Sequence, residues 1–242
     1  MIPKKIHLTW PDKNIINHKG NGATLFDLGV RRLVDLNPDW EVTIYDNNDV
    51  DDYLKDILGD EFNTLFKDTH IVARTDLWRL YKIFFEGGMY MDMDRLCNIN
   101  ISAHIPDHIR WVLPTWADHD FSHDLMCSDS FNPVYRKTID LYLQRRRSGE
   151  RNVYALGAQT YMHAITDTLF GRIINTNPGV EEFSAIRRSL EAIPFILTYR
   201  ESSPTHTFLY RNMDPKNEFL NHELLKRQLY IDSNLKHWTG EW

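Results

Sequence analysis

Ala73-Arg74-Thr75-Asp76-Leu77-Trp78-Arg79-Leu80-Tyr81-Lys82-Ile83-Phe84-Phe85-Glu86-Gly87-Gly88-Met89-Tyr90-Met91-Asp92-Met93-Asp94 is the stretch on which the fold turns. Its first part predicts a helix over 72–86, closed by Gly87-Gly88, where a glycine takes the left-handed C-terminal conformation. Met89-Tyr90-Met91 then reads as a short buried strand. Side chains alternate along an extended chain, so Asp92 and Asp94 project to one side and Met91 and Met93 to the other. Two carboxylates on one side repel each other unless a cation sits between them or one is protonated. Placed after a buried strand, they are costly without a partner. Hard oxygen donors of this kind suit Mg²⁺ or Mn²⁺. The bland alternative for the triplet is a solvated acidic turn. On the helix, Asp76 and Arg79 lie three apart and share a face, where they form either a surface pair or part of the same cleft.

Outward from this segment, strand and helix patterns alternate. Residues 5–10 read as a strand ended by Trp10-Pro11-Asp12, and a helix follows from about 24, with Leu25, Leu28, Leu33 and Leu36 at helical spacing, until Asn37-Pro38 stops it. A strand is expected over 40–45, helices near 49–58 and 60–67, strands at 109–114 and 124–128, and helices at 132–147, 157–170 and 180–190. Phe195-Ile196-Leu197 and Phe208-Leu209-Tyr210 read as short strands before a Trp-rich tail. The alternation argues for an α/β layered domain whose strand-end loops hold the site.

With 242 residues, the chain is near the length at which one core stops growing, which predicts a single domain over 1–242. Hydrophobic residues at 42% and charged residues at 26% exclude a disordered or fibrous chain. The 28 Lys and Arg against 34 Asp and Glu give a net charge of −6, so no nucleic-acid partner is expected. Two cysteines, Cys97 and Cys127, exclude a disulfide scaffold. A strand pattern beginning near the first residue and the lack of a run of about 20 apolar residues predict no leader and no transmembrane segment. The expected location is cytoplasmic, with peripheral attachment at a membrane surface allowed. The 7 Trp, 11 Tyr and 12 Phe either fill a core or form platforms for bases and sugar rings.

Arg74-Thr75-Asp76-Leu77-Trp78-Arg79 followed by Glu86-Gly87-Gly88-Met89-Tyr90-Met91-Asp92-Met93-Asp94 resembles the central block of the DXD-motif sugar-transferase family. That family, family 32-like, includes initiation-specific α-1,6-mannosyltransferases and inositol-phosphoceramide mannosyltransferases, and is distantly similar to the large glucosylating toxins. The opening Ile2-Pro3-Lys4-Lys5-Ile6-His7-Leu8-Thr9-Trp10 resembles its first strand, and Asn37-Pro38-Asp39-Trp40-Glu41 its second block. The resemblance implies a GT-A-like nucleotide-binding domain with a central mixed, mainly parallel sheet flanked by helices. It implies a retaining, metal-dependent hexosyltransferase acting in polysaccharide biosynthesis. The donor is a nucleotide sugar, UDP- in preference to GDP-linked, and the acceptor a glycan, lipid-linked or protein hydroxyl. By matching position, Trp10 stacks on the base, Asp76 and Arg79 contact donor sugar hydroxyls, Asp92 meets the ribose or a metal-bound water, and Asp94 binds Mn²⁺ or Mg²⁺ directly. Trp10 as a core aromatic at a strand end stays open. The closing His237-Trp238-Thr239-Gly240-Glu241-Trp242 resembles the family's final His followed by Ser-Trp. Either His237 or Glu241 is then a further metal ligand, and Trp238 and Trp242 cover the donor. Gly157-Ala158-Gln159-Thr160 sits where the family often carries a Gly-Pro element near the acceptor side.

Two other constellations compete. Asp118-His119-Asp120-Phe121-Ser122-His123-Asp124 places His at i and i+4, a ligand spacing if helical, and would suit a metal-dependent phosphohydrolase. Pro114 and the polar flanks favour a solvated loop instead, which a transferase would use at the acceptor rim. Arg145-Arg146-Arg147 reads as a cationic helix end that complements the helix dipole, or as a patch for anionic surfaces. A nucleotide-sugar or glycan-binding module without catalysis is the remaining alternative, since binding and catalysis use the same pocket. Trp78, Tyr81, Phe84 and Phe85 are expected in the core.

Overall fold

Lys5–Thr9 forms β1, and its alternation decides what lies on either side: Ile6 and Leu8 are buried in one core group, while His7 faces Tyr45 on the other. The structure is a computed structural model that describes residues 1–13, 21–67, 69–93, 99–116, 120–171, 179–200 and 231. After β1 come α1 (Asn21–Leu36), β2 (Glu41–Tyr45), α2 (Asn47–Leu58), α3 (Glu61–Phe66), α4 (Ile71–Glu86) and β3 (Gly88–Met91). Then follow α5 (Ile101–His104), β4 (Trp111–Trp116), β5 (Asp120–Phe121), β6 (Leu125–Ser128) and α6 (Pro133–Arg147). The described chain continues with α7 (Val153–Leu156), α8 (Ala158–Phe170), α9 (Val180–Glu191) and β7 (Ile196–Arg200). Side-chain caps fix several of these starts. Asp46 accepts from the backbone of Asn48 and Asp49 in a capping box at α2, and Asn132 caps α6 ahead of Pro133.

The strands form one mixed sheet in the order β2-β1-β3-β6-β4-β5, with β7 also paired to β4. β1 pairs in parallel with β2 and β3, and β4 with β7, whereas β6 runs antiparallel to both β3 and β4, and β5 antiparallel to β4. The sheet is thus mixed as expected, although its described pairings divide evenly between the two senses. One face carries Tyr90, Trp111, Leu113 and Met126 against α2, α3, α4, α6, α8 and α9. The other carries Ile6, Leu8, Met89, Met91, Val112, Leu125 and Cys127 against Leu33 of α1, Trp40 and Ile101 to Ile109. Helices therefore cover both faces, the three-layer α/β arrangement. Cys127 is a buried free thiol. Among the described residues, no helix is long and apolar enough to cross a membrane.

Gly87 and Gly88 turn α4 directly into β3. Both have positive φ, 66° and 88°. A Cβ on Gly88 would stand 2.5 Å from the Lys5 carbonyl oxygen, so the absence of a side chain lets β3 enter beside β1.

Most sequence-derived elements are present within a few residues of their expected ends. The short α5, α7 and β5 are not anticipated, because pieces of two to four residues fall below the window in which periodicity can be read. Phe85 is a correction: Trp78 is fully buried and Tyr81 nearly so, but Phe85 is 43% exposed, stacked on Tyr81 and edge-on to Phe131. The Arg triplet is also spent internally. Arg145 bonds Ala155 O and Thr160, buried Arg146 bonds Leu65 O and Glu150 O, and Arg147 pairs with Glu61. The expected strand at Phe208-Leu209-Tyr210 and the Trp-rich tail lie outside the described residues.

Candidate active site

The parallel strands β1 and β3 end side by side, and the N-terminal half of α4 crosses beneath those ends. Thr9 and Trp10 close β1, Tyr90, Met91 and Asp92 close β3, and Asp76 and Arg79 project from α4. A ligand crevice at strand C-termini is where open α/β sheets bind small molecules. Alternation at the end of β3 sends Met91 and Met93 into the second core group and Asp92 to the opposite side with Tyr90. The Asp92 amide donates to Asp124 O at 2.8 Å, so the ladder with β6 holds the backbone one residue beyond the strand.

Arg79 is the centre of the site. Its guanidinium is 4% exposed, ion-paired with Asp76 on one side, and donates through Nη1 to Asp92 Oδ1 at 3.0 Å on the other. It also lies 5.0 Å from the centre of the Tyr90 ring, and Nη1 is 3.4 Å from the Tyr90 hydroxyl. Burial opposes the charge of Arg79, but Tyr90, Asp92 and Asp124 outweigh it and hold the pKa above its ordinary value. Arg79 therefore stays a cation. The Tyr90 hydroxyl donates to Asp92 Oδ1 at 2.5 Å and stands 3.4 Å from Thr9 Oγ1. Burial, then the Asp92 charge, raise the Tyr90 pKa, so the phenol keeps its proton and remains a donor. Asp92 is thus fixed at one oxygen while its side chain is 37% exposed.

Asp76 is 1% exposed, and beyond the Arg79 ion pair no aligned hydrogen bond reaches either carboxylate oxygen among the described residues. His123, between β5 and β6, brings Nε2 to 3.9 Å from Asp76 Oδ1. Its loop is not the solvated one expected from composition: Phe121 and Ser122 are buried, the Ser122 amide donates to Pro114 O at 2.8 Å, and its hydroxyl donates to Asp124. Gly157, just before α8, completes this corner. A Cβ there would lie 2.8 Å from His123 Nε2 and 3.0 Å from Asp76 Oδ2.

Of the residues expected at the site, the structure brings Asp76, Arg79 and Asp92 together. Trp10 is 7% exposed and belongs to the second core group, which is the alternative the sequence left open. Asp94, His237, Trp238, Glu241 and Trp242 lie outside the described residues, as do Asp118 and His119. Tyr90 and Thr9 were not assigned to the site from sequence; Gly157 was expected only within an element near the acceptor side, and His123 only in the competing His119/His123 spacing or a loop at the acceptor rim. Tyr90 had a readable signal, since it shares strand parity with Asp92; His123 is brought in by the β5–β6 turn, which no local pattern announces. Among the described residues no three His, Cys, Asp or Glu side chains converge as a metal cage. Asp92, a partly exposed carboxylate with one oxygen fixed, is still the hard donor type that suits Mg²⁺ or Mn²⁺.

Comparison with known proteins bears on sequence similarity and fold. Residues 25–111, which span α1 through β3 and the start of β4, match the family described as the glycosyltransferase sugar-binding region containing DXD motif. Inositol phosphoceramide mannosyltransferase 3 of Schizosaccharomyces pombe is 27% identical over 120 residues, 47% of this chain and 31% of that protein. Mannosyl phosphorylinositol ceramide synthase CSH1 of Saccharomyces cerevisiae is 25% identical over 141 residues, 57% of this chain and 35% of that protein. The matched stretch thus spans about a third of the length of these relatives. Among solved structures, PaToxG glycosyltransferase superposes with a TM-score of 0.51 at 17% identity, covering 94% of this chain and 86% of that one. The chain is similar in sequence to the DXD sugar transferases and has a GT-A-like fold.

Proposed function

We propose that this chain, as a single GT-A-like domain over 1–242, is a retaining glycosyltransferase that moves a sugar from a nucleotide diphosphate to an acceptor hydroxyl. The observation that carries the reading is the bridge made by Arg79 between Asp76 and Asp92 at the ends of β1 and β3. It places a buried acceptor, a permanent cation and a half-exposed carboxylate along one crevice, the donor set that a sugar diphosphate needs. Asp76 accepts from hydroxyls of the transferred sugar, and Arg79 both holds Asp76 in place and offers positive charge where the bond to phosphate breaks. Asp92, aimed by Tyr90 and Arg79, meets the ribose or a water on the metal. Trp10 is the aromatic at that strand end for the base to meet; because it is 7% exposed, stacking requires its covering side to open.

Asp92 and Asp94, with His237 or Glu241, would hold Mn²⁺ or Mg²⁺. A divalent cation bound there neutralises charge on the departing diphosphate. Trp238 and Trp242 would cover the donor. The names of the matched relatives support a mannosyl donor and an inositol-phosphoceramide acceptor beside the UDP-sugars and the glycan or protein acceptors. The test is a thermal-shift titration with UDP and with GDP in Mn²⁺, since a ligand that binds only the folded state must raise the melting temperature. A rise with one of the two is expected. No rise with either contradicts the reading, and a rise without any turnover of sugar nucleotide favours a binding module.

A further inference from the structure

β1 presents a polar face to α4. Ile6 and Leu8 enter the second core group, so Lys5, His7 and Thr9 alternate onto the opposite side. Each of the three meets the chain that runs from α4 through Gly87-Gly88 into β3. Lys5 pairs with Glu86 at 3.5 Å, His7 Nε2 lies 3.1 Å from Gly87 O, and Thr9 Oγ1 stands 3.4 Å from the Tyr90 hydroxyl. The middle tie is the buried one: His7 is 2% exposed and Gly87 is buried, while Lys5 and Glu86 are partly in solvent. A carbonyl oxygen only accepts, so Nε2 carries the proton and donates. Burial holds the pKa of the ring down at about 4, so at neutral pH Nδ1 bears no proton, and it has no hydrogen-bond partner among the described residues. Leaving that acceptor dry is costly, and an apolar side chain would fill the position without the cost. What the imidazole supplies there is the bond to Gly87.

We propose that His7 is a positioning residue of the candidate active site: by donating to Gly87 O it fixes where β3 leaves the turn, and so where Tyr90 and Asp92 meet Arg79. The proposal rests on the glycosyltransferase reading and deepens it. The backbone ladder between β1 and β3 is short, running only through Ile6–Met89 and His7–Tyr90, whereas β6 holds the other edge of β3 from Gly88 to Met91. The His7 side chain adds a tie on the weaker edge, at the point where β3 begins. Tyr90 and Asp92 follow Gly87 by three and five residues, too short an extended stretch to absorb a shift at the turn. Both contacts on Asp92 Oδ1 are narrow, 2.5 Å from the Tyr90 hydroxyl and 3.0 Å from Arg79 Nη1. A displacement of about 1 Å takes such contacts out of hydrogen-bond range and can cost about a hundredfold in rate.

The experiment uses the full chain and compares wild type with His7→Leu, His7→Gln, His7→Asn and Leu190→Ala, each well below its melting temperature. Leu190 is a fully buried residue of α9 and serves as a core deletion away from the turn. Affinity for UDP and for GDP in Mn²⁺ is measured by calorimetry, beside kcat for nucleotide release from UDP-glucose and GDP-mannose. His7→Leu removes the donor and is expected to lower kcat at least about tenfold and to weaken nucleoside diphosphate binding about tenfold. The Gln amide reaches the place of Nε2, so His7→Gln should stay within about threefold of wild type in both measurements. Asn falls one bond short, so His7→Asn should share the defect of His7→Leu. Leu190→Ala should lose stability and keep kcat. If His7→Leu does not fold, the contrast between Gln and Asn decides. Wild-type kcat in His7→Leu or His7→Asn, a Gln variant as impaired as these, or an equal loss of kcat in Leu190→Ala overturns the proposal. A wild-type protein that binds neither UDP nor GDP overturns the glycosyltransferase reading itself.

Discussion

Tyr90 donates its hydroxyl to Asp92 Oδ1 across 2.5 Å, and the same oxygen receives Arg79 Nη1 at 3.0 Å. Asp92 is therefore aimed by two donors, one from its own strand and one from α4. Tyr90→Phe removes the first and keeps the ring that packs against Trp78. We expect turnover of sugar nucleotide to fall about tenfold, as loss of one hydrogen bond to a charged group implies. The melting temperature should fall by about 2–6 °C, the shift that 1–1.5 kcal/mol produces in a domain of this size. Turnover at the wild-type rate would mean that Arg79 and the backbone place Asp92 without the Tyr90 hydroxyl.

How much of this was legible in the sequence depends on the range of the signal. The α4–β3 segment announced itself, because a helical apolar period, two glycines and an alternating strand occupy consecutive residues. Asp76 and Arg79 followed from helical spacing and Asp92 from strand parity. Arg79 reaching Asp92 is different: it needs the turn at Gly87-Gly88 to fold α4 back along β3, and spacing alone did not show that reach. His123 and Gly157 come from β5–β6 and α7–α8, distant in sequence, and only the packing of α4 with α6 and α7, and of α8 with α6, α7 and β5, brings them to Asp76. Phe85 was misplaced because the last turn of a helix can leave its apolar side past the edge of the sheet.

Arg79 cannot be replaced by Lys without loss. The guanidinium spans two carboxylates from a buried position, and an ammonium is one compact charge on a flexible stem. Arg79→Lys is expected to lower kcat by at least about a hundredfold while folding is retained. Arg79→Met leaves Asp76 as an unpaired buried charge and should cost about 3–5 kcal/mol in urea unfolding. Equal activity in Arg79→Lys would show that charge alone suffices.

His7 makes stability depend on pH. Burial lowers its pKa from 6.5 to about 4, only partly opposed by the hydrogen bond to Gly87 O and the charge of Glu86, with Lys82 and Lys5 lowering it further. The folded state thus keeps His7 neutral where the unfolded chain takes up a proton. The sign follows: the contribution is present above about pH 6.5 and is lost as pH falls toward 4, and amounts to about 3 kcal/mol. His7→Gln, which cannot titrate, should unfold in urea with a shallower loss of stability between pH 7 and pH 4.5 than wild type. Parallel pH curves would contradict the assignment.

Gly88→Ala tests the turn that delivers β3 to the site. The new methyl meets the Lys5 carbonyl at 2.5 Å while φ stays at 88°, so both crowding and backbone strain act against it. A loss of more than about 2 kcal/mol is expected in urea unfolding. A loss below about 0.5 kcal/mol would show that β1 and β3 can separate without cost.

Release of nucleoside diphosphate from UDP-glucose, UDP-galactose and GDP-mannose, measured with and without Mn²⁺ for wild type and Asp94→Asn, tests the transferase reading at its metal. Mn²⁺-dependent release from at least one donor is expected, lowered at least about a hundredfold in Asp94→Asn with the melting temperature unchanged. Release undiminished in Asp94→Asn, or no release by wild type from any donor, would contradict it.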